Sequence, residues 1–285
     1  MNLERVRNIK HLSEVSWISE EYINKILENK SELVEYKFIP KKRWWYRKVV
    51  EIKDQIYIEI IRFLNQEFSR LYKFDECIHG FVKWRWIITN AREHLNKKIV
   101  INVDIKDFFN SIDIKLIKKA LSIINLQNEI FSLIIDLITI ENVLPTGFST
   151  SPTISNIVCS ELDNTFKKFA KENWYKYTRY WDDITFSTDT NNFLNKKDII
   201  DILEKFWFTL NEKKYKVQKK WWNRYVTWLT VCEDDRPRIP KYIKRKIRQE
   251  IYYIEKYWFE GHNERVKDNT LFHYYNKSIN WWIWF

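Results

Sequence analysis

The chain has 285 residues, 45% hydrophobic and 31% charged, a balance that excludes wholesale disorder and suffices for two or three packed subdomains. Its net charge of +11 points to a polyanionic partner, most simply nucleic acid, with a membrane surface as the other charge-compatible class. Three glycines stand beside 15 tryptophans, where average glycine usage of about 7% would give roughly 20, so the residue that supplies left-handed backbone is almost missing.

Taken in chain order, Met1-Asn2-Leu3-Glu4-Arg5 leads into no apolar signal-type run. Residues 55–72 carry apolar side chains at helical spacing, as do 113–140 and 196–206. The most apolar stretch, Ile130 to Ile140, is too short to span a bilayer and contains Asp136, so no membrane partner and a cytoplasmic location are expected. Pro152 is placed as a first-turn proline opening a helix. The β-type runs are KIVINVD (98–104), YKYTRY (175–180), DITFS (183–187) and YVTWLTV (225–231). This mixture predicts an α+β fold, an antiparallel sheet with helices packed on one face. No repeat or Gly/Ser/Pro linker separates beads of structure, so any domains are interleaved. Cys77, Cys159 and Cys232 lie far apart and read as reduced core residues. Beyond residue 236 the chain is rich in Lys and Arg, with only Glu250 and Glu255 opposing them up to Lys256.

Two acidic sites stand at strand ends. Asp104 closes the run IVINV, and Asp182-Asp183 lies between two alternating runs that read as a hairpin. Carboxylates on the ends of adjacent strands can converge on two Mg²⁺ ions, which take oxygen ligands and clamp the oxygens of a phosphoryl transfer. Asp also favours turns, so the pair alone reads equally as a solvated turn.

The ordered set distinguishes these readings. VDIKDFF (103–109), LPTGFSTSPTISN (144–156), YTRYWDDITFS (177–187), FTLNEKKY (208–215) and VTWL (226–229) together resemble the successive palm motifs of reverse transcriptases, and FIPKKRWWYRKVVEI (38–52) resembles their fingers motif. Asn90-Ala91-Arg92-Glu93-His94 is similar to an NAxxH element, and Val226-Thr227-Trp228 to a VTG element, both marks of bacterial retron reverse transcriptases.

The resemblance implies a right-hand polymerase: fingers in 1–99 with 113–143 contributing, palm in 100–112 and 144–235, and a basic thumb in 236–285. Asp104, Asp182 and Asp183 would be the catalytic, metal-binding carboxylates for two Mg²⁺, with the Ile105 carbonyl as a further ligand. Arg47 and one of Lys41 or Lys42 would pair with the triphosphate. Phe109 would exclude a 2′-hydroxyl and so select deoxynucleoside triphosphates. Gly147 would bring backbone close to the nucleotide, beside Thr146 where glutamine is common in the wider superfamily. Lys214 would protonate the pyrophosphate or simply be a solvated charge. Asn90, His94, Val226, Thr227, Lys244, Arg245 and Arg248 would face RNA, although a histidine such as His94 is commonly a structural hydrogen bonder. The implied partners are a structured noncoding RNA serving as template and 2′-hydroxyl primer, the branched RNA–DNA product, and an effector protein in phage defence. Two other readings stay open: an intron-encoded or abortive-infection reverse transcriptase, the former disfavoured by a short tail, and a noncatalytic RNA-binding scaffold.

Such enzymes carry glycine in the fingers turn held here by Trp44-Trp45, in the loop Trp84-Arg85-Trp86, before FTLN at Trp207 and in the VTG element at Trp228. Position 181, held by Trp181, usually takes a small or unbranched residue. The expectation is that many tryptophans are UGA codons from a genome that reads UGA as glycine. A tryptophan-rich protein stacking bases on its indoles is the competing reading.

Overall fold

The computed structural model describes residues 3, 6–40, 46–122, 124, 126 and 128–265. The elements are α1 (Ile9–Ser16), α2 (Glu20–Glu28), β1 (Val34–Pro40), β2 (Tyr46–Ile52), α3 (Gln55–Leu71), α4 (Ile87–Arg92), β3 (Ile99–Asp104), α5 (Phe108–Ser111), α6 (Ile114–Leu121), α7 (Asn128–Ile138), α8 (Thr150–Val158), α9 (Ser160–Glu172), β4 (Lys176–Tyr180), β5 (Asp183–Thr188), α10 (Lys196–Lys205), β6 (Lys216–Lys219), β7 (Tyr225–Val226), β8 (Leu229–Thr230) and α11 (Lys241–Arg265). The chain divides into two compact units. One comprises Met1–Ile39 with Arg47–Pro237, and the other Pro40–Tyr46 with Arg238–Phe285. The fingers and palm expected from sequence fall largely within the first unit.

That unit is built on a four-stranded antiparallel sheet in the order β4-β5-β3-β6. β3 lies between β5 and β6, and Ile99, Val100, Ile101 and Val103 are all buried. A strand covered in this way reads as a near-continuous apolar run, as it does here. α9 packs against β4, and α8 against both α3 and α6. α3 starts where Asp54 accepts from the Tyr57 N–H at 2.7 Å. Its apolar stripe Tyr57, Ile60, Ile61, Leu64 and Phe68 is at most 1% exposed, and the Tyr57 hydroxyl donates to the Leu137 carbonyl at 2.7 Å, tying α3 to α7.

Three expected elements differ. The helical pattern of 113–140 forms two helices, α6 and α7, and at the end of α6 the Ser122 hydroxyl donates to the Lys119 carbonyl. The helix opened by Pro152 is likewise two, α8 and α9, meeting at Cys159. The run 225–231 is not one strand: Thr227 (φ 44°) and Trp228 (φ 67°) turn the chain left-handed and fold it into the hairpin β7–β8.

Among the described residues, twelve non-glycine residues have positive φ, and six of them are tryptophan: Trp17 (61°), Trp84 (67°), Trp174 (62°), Trp181 (62°), Trp207 (66°) and Trp228. Of the tryptophans expected at glycine sites, Trp84, Trp181, Trp207 and Trp228 are in this set. Trp86 is not, since its backbone is extended (φ −152°) at the start of α4. Trp44 and Trp45 lie outside the described residues.

Candidate active site

The sheet register brings the acidic residues together. Asp104 is the last residue of β3 and pairs directly with Asp183, the first of β5. Trp181 and Asp182 form the two-residue turn between β4 and β5, and the Ile105 N–H donates to the Asp182 carbonyl at 3.0 Å. One carboxylate oxygen from each of Asp104, Asp182 and Asp183 lies within 4.8 Å of the others.

Asp104 is buried at 3% exposure and held from two sides. Lys214 Nζ donates to Oδ1 at 2.5 Å, and Asn211 Nδ2 to Oδ2 at 2.8 Å. The Asn211 N–H also donates to the Asp104 carbonyl at 2.8 Å. Burial, then the charge of Asp104, raises the Asp182 pKa; burial, Asp182 and Asp104 push Asp183 up to about 7. Burial opposes the Lys214 charge, but the hydrogen bond and charge of Asp104 outweigh it and the ammonium pKa is raised. Three carboxylates crowded until one takes up a proton near neutrality form an all-oxygen donor set with excess negative charge. This fits a hard divalent cation.

The other expected residues fall out unevenly. Arg47 is exposed on β2, and its positive charge is the smallest of the influences acting on the Asp182 pKa, which it lowers. Lys41 and Lys42 lie outside the described residues. Phe109 packs on Phe108 (centroids 5.3 Å) and Phe81 (6.4 Å). Gly147 (φ 126°) needs to be glycine, since a Cβ there would collide with the Val50 carbonyl of β2. The Val50 N–H donates to the Thr146 carbonyl at 2.7 Å, so this loop is fastened to the β1–β2 ribbon.

His94 and Asn90 are corrected from surface to core. Both are 0% exposed. His94 bridges the Ser187 hydroxyl (Nδ1, 2.6 Å) and the Thr178 hydroxyl (Nε2, 2.7 Å), joining β4 and β5 from beneath. Val226 is also fully buried, and Thr227, 7% exposed, donates to the Ile87 carbonyl at 3.2 Å. None of these four presents a free side chain to RNA. Lys244, Arg245 and Arg248 are exposed on α11 in the second unit.

Burial lowers the His94 pKa from 6.5 to about 3. The unfolded chain therefore binds the extra proton below pH 6.5 while the folded one refuses it, so the stability this imidazole supplies above pH 6.5 is lost on acidification. By pH 5 the loss is ~2 kcal/mol. Melting followed from pH 7 to 5 should fall more steeply in the native chain than in His94→Gln; parallel curves would contradict this.

Four supporting residues carry no signal of their own in the motifs. Arg179, 0% exposed, makes a bidentate pair with Asp163 (Nε to Oδ1 and Nη2 to Oδ2, both 2.7 Å). Its Nη1 donates to Asn156 Oδ1 and to the Trp181 carbonyl, each at 3.0 Å, and Asn156 Nδ2 donates to the Gly80 carbonyl at 2.9 Å. The turn bearing Asp182 is thus anchored to α8, α9 and the loop at Gly80. The discoverable signal is Asp163 itself, a charge inside the helical stripe Leu162, Phe166, Ala170. Asn211 lies inside FTLNEKKY but has no separate mark.

Residues 39–232 match the family described as reverse transcriptase (RNA-dependent DNA polymerase). Among characterised proteins, the chain is similar to retron Ec73 reverse transcriptase of Escherichia coli (30% identical, covering 76% of this chain and 75% of that one) and to retron Ec86 reverse transcriptase of the same organism (28%, 61% and 55%). It is also similar to retron Mx162 reverse transcriptase of Myxococcus xanthus (30%, 62% and 44%). For Ec86 and Mx162 it spans about half the relative's length. A telomerase structure from Candida albicans shares the fold, with a TM-score of 0.52 at 14% identity over 79% of this chain and 49% of that one. Among the described residues no helix is long and apolar enough to cross a membrane. The palm motifs meeting at one carboxylate triad, the family match over most of the chain and these relatives together place the chain in the reverse transcriptase family, among those of retron type.

Proposed function

We propose that the chain is an RNA-directed DNA polymerase that copies a structured noncoding RNA and serves phage defence. The convergence of Asp104, Asp182 and Asp183 at the ends of paired strands carries the reading. The three carboxylates, with the Ile105 carbonyl, would hold two Mg²⁺. When bound, the ions neutralise the triad and polarise the primer hydroxyl and the triphosphate oxygens.

The chain's own residues would do the positioning. Arg47, with Lys41 or Lys42, would pair with the triphosphate as a planar donor suited to phosphate. Phe109, braced by Phe108 and Phe81, would stand under the sugar and reject a 2′-hydroxyl. Lys214 would keep Asp104 oriented and, with its ammonium held charged by the triad, deliver a proton to departing pyrophosphate. Lys244, Arg245 and Arg248 on α11 would contact nucleic-acid phosphates as part of a thumb, and the first unit would supply fingers and palm. The primer would be a 2′-hydroxyl of the template RNA, giving a branched product, with an effector protein as a further partner.

The experiment pairs filter binding with incorporation on the cognate RNA. An enzyme binds the RNA and extends it with deoxynucleotides when Mg²⁺ is present. Binding with no incorporation under any divalent ion would replace this reading with a noncatalytic scaffold.

A further inference from the structure

We infer that the functional protein carries glycine at positions 17, 84, 174, 181, 207 and 228, and that the tryptophans standing there are UGA codons decoded with the wrong table. Large side chains rarely adopt a left-handed backbone; Asn, Asp and His are the usual non-glycine occupants. Here tryptophan supplies half of all the non-glycine cases among the described residues.

Each position is one at which backbone geometry favours glycine. Trp17 is the left-handed cap ending α1 (φ 61°, ψ 26°). After α9, Trp174 is left-handed while the Tyr175 N–H reaches back to the Ala170 carbonyl at 2.8 Å; after α10, Trp207 repeats this, with the Phe208 N–H on the Leu203 carbonyl at 3.0 Å. These are the closures that helices make around a C-terminal glycine. Trp84 is third in a four-residue turn closed by the Arg85 N–H on the Val82 carbonyl at 3.0 Å, and positive φ at that place is the type II pattern. Trp228 is second in a two-residue hairpin whose loop residues both have positive φ, the type I′ pattern with glycine second. Trp181 is first in a two-residue hairpin with positive φ there alone, the type II′ pattern with glycine first.

At five of the six the side chain lies largely in solvent, Trp84 with the Lys83 ammonium over its ring at 5.3 Å. Trp17, Trp84, Trp174, Trp207 and Trp228 are 86%, 75%, 77%, 77% and 66% exposed. The sixth obstructs. The Trp181 indole stacks on Phe81 (4.7 Å, 10°) and Tyr180 (5.0 Å, 29°), with its Nε1 buried and unpartnered among the described residues. Phe81 in turn faces Phe109, so the indole lies in an aromatic row beside the aspartates. Glycine at position 181 would open a slot there, next to Asp182, where a primer end or an incoming nucleotide could sit. Decoding supplies a common cause: UGA differs from the glycine codon GGA by one base, and one misread codon removes glycine and adds tryptophan together, as in the composition. Trp86, Trp221 and Trp222 hold no left-handed backbone, and the inference does not extend to them.

The gene and the protein recovered from its own cell give the first readout. UGA codons and glycine-bearing peptides at the six positions are expected; UGG codons or tryptophan-bearing peptides would overturn the inference. The second compares the chain with its sixfold Trp→Gly variant in vitro, where the melting temperature should rise by ~10 °C or more. An unchanged or lower value would overturn it. The slot at position 181 rests on the polymerase reading. Trp181→Gly alone should raise incorporation at least ~10-fold, whereas Trp17→Gly with Trp174→Gly raises only the melting temperature. No gain from Trp181→Gly would overturn the slot. Glycine-bearing peptides in a protein that never polymerises would sink the polymerase reading and leave the recoding intact.

Discussion

Asp104→Asn and Asp183→Asn should each lose nucleotide incorporation by ~10³-fold or more, since on the proposed function each removes one ligand and one charge from the electrostatic clamp on phosphoryl transfer. RNA binding should survive, because the exposed cations of α11 proposed to hold the nucleic-acid phosphates are untouched. Unfolding is not expected to account for the loss. Asp183 is already pushed up to about 7 by burial and by Asp182 and Asp104, so a neutral amide relieves repulsion within the triad. Its melting temperature should therefore equal or exceed that of the unaltered chain. Asp104→Asn differs: it removes the carboxylate that Lys214 and Asn211 hold, so the ammonium is freed toward Asp182 and Asp183. Either variant polymerising at the native rate would dismantle the metal-site assignment.

The second large effect lies beneath the site. Asp163→Ala leaves Arg179 charged, buried and without its bidentate partner, and strands the Tyr177 hydroxyl that donates to Asp163 at 2.6 Å. Breaking a buried pair from one side costs about 3–5 kcal/mol, or roughly 10 °C in melting temperature for a chain of this size. Activity should fall below the fraction folded, because the Arg179 guanidinium also holds the Trp181 carbonyl in the turn bearing Asp182. Displacement of a reacting group by about 1 Å is enough to cost ~10²-fold. Asp163→Asn keeps an acceptor and should recover part of both losses. Thermal melting beside incorporation per folded molecule separates the two effects. An Asp163→Ala chain that melts with the unaltered protein would show the pair to be dispensable.

The carboxylate triad was legible in the sequence because strand ends are local features. IVINVD and DITFS mark their own boundaries, and antiparallel pairing then brings Asp104 opposite Asp183 without further information. Lys214 was visible as a lysine near the motif, but its partner was not, since the contact with Asp104 spans 110 residues. Arg179 was hidden for the opposite reason: a charge in the strand YTRY reads as its solvent face, whereas here that face is buried and the charge is neutralised by Asp163. His94 matched a motif that suggested exposure, while its two ring nitrogens bind hydroxyls of adjacent strands inside the fold. The hairpin at Thr227-Trp228 was read as continuous strand because the expected turn residue, glycine, is absent from the sequence. That one substitution pattern explains the misreading at 225–231 and the positive φ at Trp228 together.

Single-nucleotide incorporation tests the central claim most directly. RNA templates differing only in the first templating base are offered one deoxynucleotide at a time, with Mg²⁺ present or chelated, to the chain and to its sixfold Trp→Gly variant. The account predicts Mg²⁺-dependent addition of the complementary deoxynucleotide alone, strongest in the variant and absent when Asp183→Asn is added. Addition that ignores the template base, or that persists with Asp183→Asn, would contradict it.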